Sequence, residues 1–183
     1  MEKANSLSLG SAAYAAKRGA DITFVLLNKM GLDDASLTAE LNETLRDYDE
    51  TGRIKSADLK DLEIVAHKLL AVFSVPNVEK AAHMLNALLK EHANAPRLSN
   101  HGGSAWHIHV DSDDHTTWSE WLATSSALAL AILLAEKGRN PGGLCASSGC
   151  GRPFIDLGKG GGRSYCSPRC ATRERVAAYR NRA

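Results

Sequence analysis

The first 144 residues contain no cysteine, so the thiol chemistry of this chain is confined to its last forty positions. Long apolar runs are also missing. A bilayer-crossing helix needs about 20 apolar residues, and the most apolar stretch, residues 126–135, offers ten and fits a buried helix instead. The opening Met1-Glu-Lys-Ala-Asn-Ser lacks the charged-then-apolar layout of a secretory leader, which gives the expectation of a cytoplasmic protein with no membrane partner. Glycine-rich loops that cradle phosphate ahead of a helix are absent, as are Ser/His/Asp and Cys/His nucleophile patterns, so no enzyme is expected. Neither an internal repeat nor a low-complexity segment occurs. What remains is ordinary for a globular chain: 183 residues, 44% hydrophobic and 23% charged, enough for one domain of moderate size plus a small module.

The first hundred residues read as helices. Residues 6–18 are Ala-rich, with Gly19 as a stop. Residues 22–28 are short and apolar; their β-branched side chains allow a strand, while their setting among helices favours a buried helix. Asp33 or Asp34 caps a helix whose Leu37, Leu41, Leu45 and Tyr48 share a stripe, closed by Gly52. Ser56 opens the next, with Leu59, Leu62, Ala66, Leu69 and Phe73 inside. The Val75-Pro76 step breaks it, because the proline ring disfavours helical geometry in the preceding residue. Asn77 starts a third helix through Met84, Leu85, Leu88 and Leu89, ending before Pro96. The texture changes at residues 100–104. Trp106-His-Ile-His-Val110 alternates as a short strand. Thr117 and Glu120 form a capping box for a long helix carrying Trp118, Trp121, Leu122, Leu128, Ile132 and Leu133, with Gly138 beyond its end. Asn140-Pro-Gly-Gly143 reads as a linker, which divides the chain at 139/140.

Beyond that linker all four cysteines appear, as Cys145-Ala-Ser-Ser-Gly-Cys150 and Cys166-Ser-Pro-Arg-Cys170. Two tight pairs separated by a Gly-rich stretch suit one tetrahedral zinc ion held by four thiolates, a closed site whose role is structural. A redox pair, disulfides, an iron–sulfur cluster or no metal at all are the alternatives, and a reducing compartment disfavours the disulfides. Zinc binding of this kind provides about 10–16 kcal/mol, well above what Phe154, Ile155 and Tyr165 supply by burial. Residues 152–156 and 163–166 are expected to be two short strands joined by the turn at 157–162. Ser167-Pro168 then starts a helix bearing the second cysteine pair. A hairpin followed by a ligand-bearing helix resembles a treble clef. The expected fold is therefore mainly α (α+β): a multihelical N-terminal domain, residues 1–139, with a small β element, and a treble-clef-like four-cysteine zinc finger at 140–183.

Charge is divided unevenly along this layout. From Arg152 onward eight Lys/Arg face two Asp/Glu, a balance of +6, while the preceding residues carry −5. In the terminal helix Arg169, Arg173 and Arg180 fall within about 40° of one another at 100° per residue. Arg175 and Arg182 lie on another flank, and Thr172, Val176 and Tyr179 lie between, where part of the stripe is expected to pack on the body. Guanidinium forks match phosphate oxygens, so Arg163, Arg169, Arg173, Arg175, Arg180 and Arg182 are the candidate nucleic-acid contacts. A solvated helix surface is the plainer alternative.

The stretch Cys-x4-Cys-Gly-Arg-Pro-Phe-Ile-Asp, then Arg-Ser-Tyr-Cys-Ser-x-x-Cys, then Arg173 and Val176-Ala-Ala-Tyr-Arg-Asn-Arg182 resembles the CGNR-type zinc finger. That finger follows a mostly helical ABATE domain in bacterial stress-induced transcription regulators, and Trp106 through the long Ala/Leu helix resembles the end of that domain. Where the family reads Cys-Gly-Asn-Arg, this chain reads Cys170-Ala171-Thr172-Arg173. The ligand and the arginine survive; the Gly and Asn do not, and neither is a ligand. The resemblance implies one structural Zn2+ on Cys145, Cys150, Cys166 and Cys170, and a DNA-binding role.

Three functional readings stand side by side. In the first, a bacterial regulator binds DNA through the finger and basic helix, and its body senses a small-molecule effector or forms a homodimer. In the second, the finger is a structural and protein-interaction module whose basic helix docks on the acidic body of its own or another subunit. In the third, a small-molecule-binding protein uses the finger only to close its fold. His101, His107 and His109 bring imidazoles near one strand, but no carboxylate or cysteine at ligand spacing completes a second metal site. Asp111, Asp113 and Asp114 resemble the start of a calcium loop, yet its Gly at position six and Glu at twelve are missing, so a turn is expected. Trp106, Trp118 and Trp121 serve either the core or one wall of a pocket.

Overall fold

The computed structural model describes residues 9–29, 31–100, 106–113, 115–158, 160 and 162–181. The fold is mainly helical. Helices α1 (Leu9–Leu27), α2 (Asp34–Asp47), α3 (Leu59–Ser74), α4 (Val78–His92) and α5 (Trp118–Lys137) form a body, and α6 (Pro168–Arg180) follows. Two antiparallel hairpins complete the described part: β1 (Arg97–Ser99) with β2 (His107–His109), and β3 (Gly142–Leu144) with β4 (Pro153–Ile155).

Local chemistry starts the helices where the sequence places their caps. The Asp33 carboxylate accepts from Ser36 N at 2.8 Å, the Asn77 amide oxygen from Lys80 N at 2.8 Å and the Thr117 hydroxyl from Glu120 N at 3.2 Å. Each satisfies an otherwise orphaned donor of the first turn. The capping box at Thr117 is only half made. Glu120 turns away from the Thr117 N–H, and its Oε1 accepts from Ser112 N at 2.6 Å, tying Ser112 to α5. Ser56 begins a 3-10 turn rather than the helix itself, and the Asp58 carboxylate accepts from Lys55 N at 2.8 Å.

One prediction about α1 is corrected. Gly19 does not stop a helix; α1 runs through it and absorbs residues 22–27. The reason is tertiary. A Cβ on Gly19 would stand 2.2 Å from Ser126 Oγ and 2.9 Å from Ser126 Cβ, so α1 and α5 touch at this point. Close approach outweighs the helix penalty of about 1 kcal/mol that glycine carries. Gly19→Ala is therefore expected to destabilise the body by about 1–3 kcal/mol through overpacking. Ser126→Gly should restore most of it in the double variant, with denaturant unfolding as the measurement. Equal stability of Gly19→Ala and wild type would contradict the close crossing.

α5 is the centre of the body. Leu122, Ala123, Ala127, Leu130 and Leu133 are fully buried against α1, α3 and α4. By length and composition α5 is apolar enough to cross a membrane, a match that counting uninterrupted apolar residues misses. In the fold it is the helix that others cover, which explains its apolar surface on several sides. The stripes Leu37, Leu41, Leu45 and Leu59, Leu62, Ala66, Leu69, Phe73 face the same core. Leu85 and Leu88 of α4 join them, with Met84 and Leu89 at its margin.

Candidate metal centre and basic helix

The hairpin of the C-terminal module is not the predicted one. Residues 153–155 pair with Gly142–Leu144, in the segment read as a linker, and not with residues 163–166. Gly142 makes this possible: its absent Cβ would lie 2.0 Å from the Phe154 carbonyl oxygen. The 163–166 segment runs alongside without forming a strand, and Ala146 N donates to Ser164 O at 2.8 Å.

This hairpin and α6 deliver the cysteines to one point. Cys145 directly follows β3. Cys150 sits between Gly149 (φ 69°) and Gly151 (φ 57°), a left-handed pair that only glycine adopts without cost. Cys166 precedes α6 and Cys170 lies in its first turn, where the Ser167 hydroxyl caps the helix by accepting from Cys170 N at 3.3 Å. The Sγ separations are 3.8 Å for Cys150–Cys166, 3.7 Å for Cys166–Cys170 and 3.8 Å for Cys170–Cys150. All four sulfurs lie within 4.8 Å of one another. Four thiolates at about 2.3 Å from a tetrahedral zinc stand about 3.8 Å apart, so the cage has zinc dimensions. With four sulfur donors and Cys145 and Cys170 buried, the centre is of the closed, structural kind.

Their acidities differ. Burial pushes the Cys166 thiol up to about 12 and raises Cys150 above its ordinary value. Hydrogen bonding from the Ser167 side chain holds Cys170 down to about 7. Zinc loading therefore releases protons as the thiols become thiolates.

The surroundings of the cage offset the negative charge that four thiolates bring. Arg173 Nη2 lies 4.0 Å from Cys170 Sγ, and the same guanidinium donates to the buried Ser147 Oγ at 2.7 and 3.0 Å. Ser147 Oγ donates to Glu174 Oε1 at 2.7 Å, and Ser148 N reaches the same oxygen at 2.8 Å. The first knuckle is thereby clipped to α6. After β4 the buried Asp156 carboxylate accepts from Gly158 N, Arg163 N and Arg139 Nη1, each at 3.0 Å. Arg152 joins the module to the body: it donates to Asp21 Oδ1 at 2.8 Å and stacks 4.6 Å over the Phe24 ring of α1. Tyr48 OH donates to the other Asp21 oxygen at 2.5 Å. Asn140 Nδ2 adds a bond to Val75 O at 2.6 Å.

With cage, clip and hairpin in place, the comparison with known families is decisive for this segment. Residues 143–183 match the CGNR zinc finger. No curated protein sequence matches the chain. The CGNR finger accounts for the cysteine quartet as one structural zinc site, with Cys145, Cys150, Cys166 and Cys170 as its donors. The motif position occupied by Arg173 is used here inside the finger, bracing Ser147.

The other candidate residues of the finger separate into two groups. Arg163 is exposed but folded back, donating to the Tyr165 and Cys166 carbonyls at 3.2 and 3.0 Å. Arg169, Arg175 and Arg180 are exposed on α6. Arg175 bonds Thr172 Oγ1 at 3.1 Å, and among the described residues none of these three forms an ion pair with a carboxylate. Arg182 lies outside the described residues. The expected packing of the Thr172, Val176 and Tyr179 stripe on the body is not found: every described residue of α6 from Arg175 onward is exposed. Ser147, Glu174, Asp156 and Arg139 were not singled out from the sequence. A lone Ser, Glu, Asp or Arg carries no spacing signal, and their pairing is made by the fold.

In the body, His107 and His109 share a strand face with ring centroids 4.6 Å apart. Asp111 does bring a carboxylate to His109, 2.9 Å from Nδ1, but it also accepts from Arg97 at 2.7 Å. His101 and Asp114 lie outside the described residues, and among those described only the four cysteines gather as metal donors. Trp118 and Trp121 meet edge to face at 5.2 Å and wall a cavity of about 200 Å³ with Glu50, His109, Asp111 and Asp113. Trp106 is exposed, away from that cavity.

Proposed function

We propose that the chain is a bacterial DNA-binding transcription regulator in which residues 1–139 form an ABATE-like helical domain and residues 140–183 a CGNR finger that presents α6 to duplex DNA. The observation that carries this reading is the state of α6: its arginines at 169, 175 and 180 are exposed and bind no carboxylate among the described residues, within a terminal segment of +6 charge. Had the helix served to dock on the acidic body of its own chain, carboxylates of that body would stand beside these guanidiniums. A polyanion supplies the partner chemistry instead, because each guanidinium matches a phosphate and releases a counterion. In this reading the protein acts by binding and not as an enzyme. The cytoplasm is the compartment such a role requires.

Filter binding to duplex DNA tests the reading. Affinity of the zinc-loaded protein is expected to fall steeply between 50 and 200 mM salt. Replacing Arg175 and Arg180 by Ala should lower the salt slope by about 0.9 for each phosphate contact removed. Absence of binding at low ionic strength overturns the proposal. A body that also senses a small molecule is favoured by one observation, the cavity between Trp118 and Trp121 on one wall and Glu50, His109, Asp111 and Asp113 on the others, which offers a small ligand an aromatic face and polar anchors.

A further inference from the structure

We infer that α6 is a major-groove reading helix whose apolar stripe, Thr172, Val176 and Tyr179, touches thymine methyl groups while arginines on both flanks hold the two phosphate strands. This rests on the DNA-binding reading above and adds what the helix reads.

The placement follows from the finger. At about 100° per residue, Tyr179 stands about 180° around α6 from Cys170, and Thr172 stands close beside Tyr179. The zinc cage and the Glu174 clip therefore hold one side of the helix and leave the stripe on the other. Val176 and Tyr179 are 44% and 75% exposed. They thus form a small open apolar face on a helix fixed at its other side. Charge selects what lies against it. Arg175 lies about 40° to one side of Tyr179, and Arg169 and Arg180 lie within about 40° of Val176 on the other. A second copy of α6 would set these arginines against each other, which like-charge repulsion opposes. A polyanion with an apolar floor between two charged edges fits. The major groove has that form: about 12 Å wide, it admits a helix of about 10–12 Å, with phosphates along both rims and thymine methyls on its floor. From Thr172 to Tyr179 the helix rises about 10.5 Å, which covers about three base pairs at 3.4 Å each.

The test uses the full-length zinc-loaded protein and a duplex recovered by selection from a random pool. In the selected duplex every thymine is replaced by deoxyuridine, which keeps all hydrogen-bonding groups and removes only the methyl. Wild-type affinity is expected to drop about fourfold for each methyl in contact. The Val176→Ala/Tyr179→Ala double variant should bind the two duplexes equally. Both positions are exposed, and alanine favours helix, so zinc content and helicity of this variant should match wild type. Equal wild-type affinity for both duplexes, selected sites without A·T pairs, or an unchanged deoxyuridine penalty in the double variant would each overturn the inference while leaving DNA binding intact. Failure to select any duplex removes DNA binding itself, and preferential binding to anionic phospholipid vesicles would reassign the helix to a membrane surface.

Discussion

Chelating the zinc is expected to unravel residues 143–181 and leave the five-helix body standing. The two parts are held by different forces. The body has a continuous core in which Leu41, Leu62, Leu69, Leu122, Leu130 and Leu133 are fully buried. The finger's own cluster amounts to Cys145, Phe154 and Cys170, with Cys150, Tyr165 and Cys166 at its edge. Fully burying one Phe yields about 1.5–3 kcal/mol, whereas a four-thiolate zinc contributes about 10–16 kcal/mol. Metal therefore decides whether the finger is folded. Hydrogen exchange read segment by segment is the measurement. Amides of 145–156 and 168–177 should lose protection with metal removal, α5 should keep it, and restored zinc should bring it back. Cys166→Ser is expected to mimic chelation. A finger that stays protected without metal would refute the assignment of zinc as its organiser.

The second large effect is expected at Asp156. Its buried carboxylate accepts from Arg163 N and from Gly158 N, and it holds Arg139. Burial acts to raise its pKa, but the backbone bonds from Arg163 and Gly158 and the Arg139 guanidinium outweigh that and hold the carboxyl below its ordinary value. A depressed folded-state pKa means that its stabilisation is fully present above the unfolded value of about 4 and is lost as pH falls through the lower folded value. At neutral pH Asp156→Ala should cost about 2–4 kcal/mol, because the Arg163 and Gly158 N–H groups lose their acceptor and the half-buried Arg139 guanidinium loses its counter-charge. Asp156→Asn keeps an acceptor and should cost less, about 1–3 kcal/mol. Denaturant unfolding of the zinc-loaded variants measures both. A loss for Asp156→Ala within about 0.5 kcal/mol, the range of an ordinary surface change, would contradict this role.

How much of this was legible in the sequence follows from the range of each signal. Caps are local: Asp33, Asn77, Thr117 and Ser167 each accept a bond from a backbone N–H three residues on, so the residue type at one position announced the helix. The cysteine quartet was legible because zinc imposes its own spacing on the chain. Gly19 misled because its helix penalty is local while its reason, the contact with Ser126, is tertiary. The hairpin partner was missed because strands of three residues carry no periodicity, and a Gly-Gly pair reads as a linker until Phe154 is seen against it. β1, which begins directly after Pro96, had the same defect of length. The arginines were readable as a group and not as individuals. Arg173 and Arg163 are bound within the finger, Arg152 to the body, and Arg169, Arg175 and Arg180 stand free of carboxylates among the described residues. Nothing in their spacing distinguishes these three fates.

The contact between α1 and α5 has a consequence for biosynthesis. Gly19 meets Ser126 only after most of the body has been translated, so the first helix must wait, its apolar face uncovered, until the ribosome has made its partner. Such distant pairing slows folding and lengthens exposure to aggregation. The metal donors of the finger come later still, so Asp21 and Phe24, which receive Arg152, are made well before the segment that docks on them.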